Sequence, residues 1–242
     1  MRLYGKKCIF AAPIIYILNM MKNLTPIILI TAIALTAASC THTETTNYPD
    51  GRIQSVIQYK GKKEHGKTVY YYRNPNIVEM EVEMRNGKRN GEFRRYYKNG
   101  ALDTHCYYVN DSIEGVEVMY TANGCKSQEY TYVHGKKNGP HKAYHLDGNL
   151  KIEGGFKDDL FDGEWHYYDE RGVPAGDGEF HNGDGEVTFY DHNGRPLRTT
   201  QYKHNLKNGP ESYYTPSGEV WREITFKDDR IVGEKIDSTL LK

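Results

Sequence analysis

Two histidines in the chain have a spacing that could bind a metal. His141 and His145 are four residues apart, which on a helix would turn both imidazoles to one side. On a strand the same spacing puts them on one face but about 13 Å apart, too far to share an ion. Because the surrounding residues have strand character, we predict two exposed strand histidines, no metal site and no cofactor.

Two cysteines could form a disulfide. Cys106 and Cys125 fall in strands separated by one intervening strand, which sets them about 9 to 10 Å apart laterally. A disulfide needs Cα atoms within about 7 Å. We therefore predict that both remain thiols, with Cys106 taking the place of an inward apolar side chain.

Three aspartates resemble part of a calcium loop. Asp158, Asp159 and Asp162 are close in sequence, but Leu160 breaks the required alternation and the twelfth position is Asp169 in place of Glu. We predict a hairpin turn here. Because the chain also has no nucleophile elbow and no glycine-rich phosphate loop, the sequence favours a protein that is not an enzyme.

An internal repeat of about 24 residues determines where these histidines, cysteines and aspartates lie. We interpret one glycine in each unit as a turn at its end, and a Tyr follows five residues later in every unit except the last. Successive glycines are 25, 24, 24, 24, 22, 24 and 24 residues apart: Gly66, Gly91, Gly115, Gly139, Gly163, Gly185, Gly209 and Gly233. The second unit carries Asn74-Pro75-Asn76 where others have a glycine turn, and the sixth is two residues short.

Each unit has the pattern of a β-hairpin. Dipeptides such as Asn99-Gly100 accept positive φ in tight turns, and residues 78–84 alternate with the period of a strand. Eight hairpins predict about 16 antiparallel strands about 4.8 Å apart. The sequence therefore predicts an all-β fold, an elongated, solenoid-like single sheet over residues 48–236, followed by a tail at 237–242 and containing no helix.

The aromatic residues suggest a binding surface. The regular Tyr series predicts packing between repeats. Adjacent residues on a strand face opposite sides, so doubled aromatics should put one ring off the packed stripe. We predict an exposed aromatic surface formed by Tyr72, Tyr97, Tyr167, Phe189 and Tyr213.

The amino terminus has the features of an export signal. Residues 1–39 contain four basic and no acidic residues, an apolar run and then Ala37-Ala38-Ser39-Cys40. This junction resembles a bacterial lipobox, which implies lipidation of Cys40 and a polar tether over residues 40–47. An uncleaved anchor is the alternative, and a start at Met20 or Met21 would leave residues 1–19 or 1–20 untranslated.

The charge balance limits the partners. The whole chain has 32 basic and 32 acidic residues, and removing residues 1–39 leaves 32 − 4 = 28 basic against 32 acidic. This balance gives no electrostatic footprint for nucleic acid. It also predicts no basic patch for anionic lipid.

The repeat resembles the MORN repeat, in the variant found in bacterial proteins. The pattern is seen from Tyr120 to Gly124 and on through Tyr132 and Gly135 to Gly139, and Glu164-Trp165 also fits it. The resemblance implies β-hairpin sheets used for protein assembly. Phospholipid binding has been proposed for some members, and many bacterial variants are described as antitoxins of toxin–antitoxin systems.

Together these features predict a lipid-anchored repeat protein of the bacterial envelope, on either the inner or the outer membrane. We expect it to bind or scaffold a protein or an envelope polymer, and its open sheet edges leave a homo-oligomer open. The alternative is an antitoxin or immunity protein that binds a toxin. An enzyme acting on envelope polymers is less favoured, because the repeats place no converging carboxylate pair.

Overall fold

The computed structural model describes residues 40–73 and 77–241. The export segment 1–39 and the Asn74-Pro75-Asn76 irregularity lie outside the described residues. Eighteen β-strands account for most of the described chain, and consecutive strands pair antiparallel, except that two short segments after Lys157 both pair with the strand before them. The predicted all-β meander of hairpin repeats is confirmed. Within the described ranges, no helix is long and apolar enough to cross a membrane.

The chain divides into two compact units. The first contains the described residues up to Leu102 together with Tyr108–Ser112, and the second contains Asp103–Tyr107 and the chain from Ile113 onwards. Five strands lie wholly in the first unit: β1 Thr41–Asn47, β2 Ile53–Lys60, β3 Lys63–Tyr71, β4 Val78–Arg85 and β5 Lys88–Tyr96. Strands β6 (Leu102–Val109) and β7 (Ser112–Tyr120) contain residues of both units.

The second unit contains the remaining strands and one helical turn. These are β8 Lys126–Val133, β9 Lys136–Tyr144, β10 Leu150–Lys157, β11 Leu160–Phe161, β12 Gly163–Tyr168, β13 Pro174–His181, β14 Asp184–Tyr190, β15 Pro196–Lys203, β16 Leu206–Tyr214, β17 Val220–Lys227 and β18 Arg230–Ile236. A 3₁₀ turn, Ser238–Leu241, follows in the segment predicted as a tail.

Two differences raise the strand number from about 16 to eighteen. Thr41–Asn47, which we expected to be a tether, forms β1 and pairs along its length with β2. Its alternating Thr residues favour an extended chain, and β2 offers an open edge for them to bond. The strand after Lys157 is also interrupted at Asp162, whose backbone N–H donates to the Gly155 carbonyl at 3.0 Å.

The hairpins are closed by turns of two kinds. At one end a two-residue turn has positive φ at both positions, as at Asn110 (50°) and Asp111 (73°), which is the geometry of a type I′ turn. At the other end a longer turn has positive φ at its glycine, and the Gly100 N–H donates to the Tyr97 carbonyl at 2.9 Å.

Most of the glycines that we interpreted as end turns lie inside strands, so that interpretation is wrong. Gly91 has a φ of 127° within β5, where the pairing with β4 shifts register between Val82 and Met84. A bulge inserts extra residues into one strand, and a residue there often needs positive φ. Gly185 is a different case, because it lies in β14 directly opposite Phe180 and Tyr202.

The short sixth unit is bridged by an asparagine. Asn205 Nδ2 donates to the Asp159 carbonyl at 2.9 Å, and the Phe161 N–H donates to Asn205 Oδ1 at 2.8 Å. Between these two tips lies Gly183, where an added Cβ would be 2.9 Å from Asn205 Oδ1. Because the sixth unit is two residues short, the Asn205 side chain reaches past its turn and bonds to the preceding hairpin.

Candidate functional site

The second unit carries a continuous row of rings on one side of its strands, which we call the aromatic face. Strand register places these side chains on one side, because residues directly opposite in paired strands share a face. Trp165 lies opposite Gly178, which lies opposite Val187 on the next strand. The aromatic face comprises Tyr130, Tyr132, His141, Phe156, Phe161, Trp165, Tyr167, Phe180, Phe189, Tyr202, Tyr213 and Phe226.

Trp165 is the centre of this face. Its side chain is 4% exposed and belongs to a buried cluster with Phe180 and Val187. The Phe161 ring centroid lies 4.7 Å from that of Trp165, with the planes at 66°. Such edge-to-face pairs stabilise by about 0.5–1.5 kcal/mol beyond the area they bury, so the middle of the face is a packed core.

Glycines opposite the rings make this packing possible. A Cβ at Gly154 would lie 2.6 Å from Trp165 Cε2, and one at Gly176 would lie 2.8 Å from Phe189 Cδ1. A Cβ at Gly178 would meet Val187 Cγ2 at 2.8 Å. The sequence analysis did not single out these strand glycines, although a glycine inside a strand pattern is a known signal of close approach.

His141 is part of the core, so the prediction of an exposed histidine is wrong. It is 5% exposed, stacks on Tyr130 with ring centroids 4.4 Å apart, and its Nδ1 donates to the Glu129 carbonyl at 3.0 Å. Burial lowers the pKa of His141. His145 lies beyond the end of β9, and its Nε2 donates to the Tyr168 carbonyl at 2.9 Å.

Cationic side chains cover several rings of the aromatic face. Lys137 Nζ lies 3.7 Å from the Tyr130 ring centroid, and Arg198 Cζ lies 4.7 Å from that of Phe189. Cation–π contacts of this kind are attractive, and more so when water is excluded. Burial lowers the pKa of Lys137 and raises the pKa of Tyr167 to about 12.

Glu211 brings a buried carboxylate into the same face. It is 3% exposed, and it accepts hydrogen bonds from Lys207 Nζ at 2.6 Å, Tyr213 Oη at 2.7 Å and Thr200 Oγ1 at 3.0 Å. Burial acts to raise the pKa of Glu211, but these donors outweigh it and hold the pKa below its usual value. The carboxylate therefore fixes its neighbours and stays charged.

The five predicted surface residues do not all occupy the positions we expected. Tyr167, Phe189 and Tyr213 lie on the aromatic face, and the first two rings are 5.0 Å apart and pack against the buried cluster. Tyr72 and Tyr97 belong to the first unit, where both are half-buried. Tyr72 Oη donates to the Tyr96 carbonyl at 2.7 Å. Our expectation of five exposed rings off the packed stripe is therefore wrong.

The regular Tyr series lies on the opposite side of the strands. Tyr144 Oη donates to Glu129 Oε2 at 2.9 Å, and Tyr190 Oη donates to Asp177 Oδ1 at 2.9 Å. These tyrosines tie neighbouring strands by hydrogen bonds to carboxylates. We had predicted that this Tyr series lies on the packed side of the sheet. The strand glycines determine which side is packed, because they make room for the rings of the aromatic face on the other side.

The cysteines and aspartates singled out in the sequence occupy positions in the core or in turns. Cys106 is a thiol that is 1% exposed, in agreement with an inward position, and Cys125 is a half-buried thiol just before β8. Asp158 and Asp159 form a two-residue turn with φ of 52° and 72°, which confirms the predicted hairpin turn. Among the described residues no three His, Cys, Asp or Glu side chains are grouped so as to hold a metal ion.

Four segments of the chain match the MORN repeat variant family. They are residues 89–110, 137–158, 183–204 and 207–228. Each begins at or just after a two-residue turn, contains two strands joined by a glycine turn, and ends at the next two-residue turn. The chain is thus a repeat protein similar to that family in these segments. No curated protein matches the chain.

Proposed function

We propose that this chain is an exported, lipid-anchored module of the bacterial envelope that binds or scaffolds a protein through its aromatic face. One observation carries the proposal: half-buried rings flank a packed core on one side of the second unit, with Arg or Lys side chains above them. Tyr, Trp, Phe and Arg are the residues enriched in the centres of protein interfaces.

The geometry of the rings supports a macromolecular partner. Phe189, Arg198, Tyr213 and Arg222 lie on successive strands in direct register, with Arg198 opposite both rings. A row that crosses four strands is about 14 Å long. A rigid row of this length fits an extended segment or a helix of another protein.

A role without catalysis is part of the proposal. The buried histidine, thiol and carboxylate that could do chemistry hold the structure together: His141 in a ring stack, Cys106 inside, Glu211 in a hydrogen-bonded cluster. An enzyme acting on envelope polymers would need such groups to face a substrate.

The position of Cys40 supports anchoring. It is exposed and directly precedes β1, so a lipid on its side chain would not disturb the packed residues. An immunity protein that binds a toxic effector is the alternative form of this function, and it would use the same face.

Capture of a partner from detergent-solubilised membranes tests the proposal. The bait is the full chain, compared with Tyr213→Ala on the aromatic face and Tyr214→Ala on the other side of the same strand. We expect one set of proteins to be captured by the native chain and by Tyr214→Ala, and to be lost with Tyr213→Ala while its circular dichroism stays unchanged. Equal capture by all three baits would contradict the assignment of the face, and a captured toxin would favour the immunity role.

A further inference from the structure

The last strand of the chain is an incomplete part of the repeat. In each hairpin unit one strand precedes the glycine turn, which we call the leading strand, and one follows it, which we call the return strand. In the second unit the leading strands β9, β12, β14 and β16 each pair with a return strand on both sides. Strand β18 follows a two-residue turn, as leading strands do, but within the described residues it pairs with β17 alone.

A 3₁₀ turn takes the place of the next return strand in the described part of the chain. The Asp237 N–H donates to the Trp221 carbonyl of β17 at 2.8 Å, and the turn Ser238–Leu241 contacts β17. The end of the chain thus stays beside β17. Among the described residues, the outer row of β18 backbone N–H and C=O groups therefore has no strand beside it, which makes it a template for pairing with another chain.

The side chains of β18 suit a strand with two neighbours. Ile231 and Ile236 face the side of the aromatic rings, and they are 64% and 56% exposed. The corresponding residues of β16, Lys207 and Tyr213, are half-buried because a return strand lies on each side of them. A strand added beside β18 would cover both isoleucines, and removing this apolar surface from water favours binding.

The charged residues of β18 do not shield its outer edge. Edge strands are commonly protected by charged side chains. On β18, however, Glu234 pairs with Arg222 at 2.8 Å and Lys235 pairs with Glu223 at 3.4 Å, so both are drawn toward β17. The other terminal strand, β1, contains only Thr, His, Glu and Asn and so offers no aliphatic side chain. The two ends of the array therefore differ in what they can bind.

We propose that β18 binds an extended segment of another protein, which adds to the sheet as the missing return strand. Peptides bind open sheet edges in this way, with backbone hydrogen bonds for affinity and alternate side chains for specificity. The segment should carry apolar residues on the side of Ile231 and Ile236, with polar residues between them. Return strands have this pattern, as in Ile224 and Phe226 separated by Thr225. This edge is separate from the aromatic face, so either proposal can fail without the other.

A second copy of the chain fits this position less well. The return strands of the second unit already have a neighbour on both sides: β8, β10, β13, β15 and β17. The terminal strands β1 and β18 are both leading strands, so pairing two copies through them would put leading strands side by side. The pairings of the second unit contain no such arrangement among the described residues.

Binding of a synthetic peptide to the full chain tests the proposal. The peptide copies the return strand Val220–Lys227 and carries a fluorescent label, so that anisotropy measures its affinity. The edge variant carries Ile231→Lys and Ile236→Lys on β18. The matched control carries Thr43→Lys and Thr45→Lys, which add the same charge at exposed positions of β1. We expect the edge variant to lose at least about tenfold in affinity, and the control to bind as the native chain does.

Backbone methylation of the peptide distinguishes strand addition from simple apolar contact. Successive residues of a paired strand direct their N–H groups to opposite neighbours. N-methylation at Arg222 and Ile224 therefore blocks one edge of the peptide, and N-methylation at Glu223 and Thr225 blocks the other. We expect one methylated peptide to lose binding and the other to keep it. Amide hydrogen exchange of Arg230–Ile236 should also slow when the unmethylated peptide binds.

Three results would overturn the inference: no binding of the peptide, equal affinity for the native chain and the edge variant, or equal binding of both methylated peptides. The methylated peptides need no change in the chain, so they are decisive even if the edge variant unfolds. A dimer of the native chain that dissociates in the edge variant during sedimentation would show that a second copy fills the edge, which would also contradict the proposal.

Discussion

Replacing Gly154 with Ala should destabilise the second unit, because the added methyl group would overlap the indole of Trp165. The Cβ would lie 2.6 Å from Cε2 and 2.7 Å from Cε3, about 0.8 Å closer than an ordinary carbon contact. The indole cannot simply move away, since the Phe161 and Phe156 ring centroids are 4.7 and 5.5 Å from that of Trp165.

Overpacking of a core costs about 1–3 kcal/mol, and the lower entropy of the unfolded alanine chain offsets about 0.4–1 kcal/mol of this. We expect a net loss of up to about 2.6 kcal/mol. For a chain of this size that lowers Tm by up to about 10 °C. Thermal unfolding followed by far-ultraviolet circular dichroism measures it, with a loss of Trp165 packing seen in near-ultraviolet spectra.

The same substitution at Gly233 is the control. Its Cβ would lie 3.7 Å from the nearest atom, Thr225 Oγ1, which is ordinary contact. Gly233→Ala should therefore be neutral or raise stability by about 0.4–1 kcal/mol. If Gly154→Ala were as stable as Gly233→Ala, the side of the strands on which Trp165 packs would be wrong.

Three further predictions concern buried groups. His141 is held neutral because burial lowers its pKa below that of the unfolded chain, so its contribution to stability is present above about pH 6.5 and is lost as the pH falls through the folded pKa. His141→Phe should therefore weaken the loss of stability that is measured between pH 7 and pH 5. An unchanged pH dependence of the free energy of unfolding would count against the burial of His141. In a Cys40→Ser background, Cys125 should react with a thiol reagent in the native state faster than Cys106, which is 1% exposed. Mass spectrometry of single-cysteine variants measures the two labelling rates. Faster labelling of Cys106 would contradict its inward position. Glu211→Gln should lower the free energy of unfolding by about 1–3 kcal/mol, because it weakens the hydrogen bonds from three donors, and urea denaturation with no change would show that the cluster adds nothing.

The sequence was sufficient to predict the fold because its turns and strand periods are local signals. Asn99-Gly100 and the alternating residues of β4 indicate hairpins without reference to distant contacts. The glycine register also predicted the number of units. The first strand, β1, was missed because its run of Thr, His and Asn resembles a polar linker until β2 is present to pair with it.

The side of the sheet that becomes buried could not be read from the repeat. The most regular residues, the Tyr series represented by Tyr144 and Tyr190, point away from the core and bond to carboxylates. The deciding residues occur once or twice each, such as Gly154 opposite the ring of Trp165. A search for glycines at alternate strand positions beside large rings would have found them. His141 was misplaced for the same reason, since its burial depends on Trp165 three strands along the chain.

The most direct test of the proposed function compares neighbouring residues that face opposite sides of one strand. A photo-crosslinking phenylalanine analogue is placed in the full chain at Phe189 or Tyr190, and at Tyr213 or Tyr214, in living cells. The account predicts a crosslinked partner protein from positions 189 and 213, which lie on the aromatic face, and none from 190 and 214. Crosslinks from 190 and 214 alone, or from none of the four positions, would contradict it.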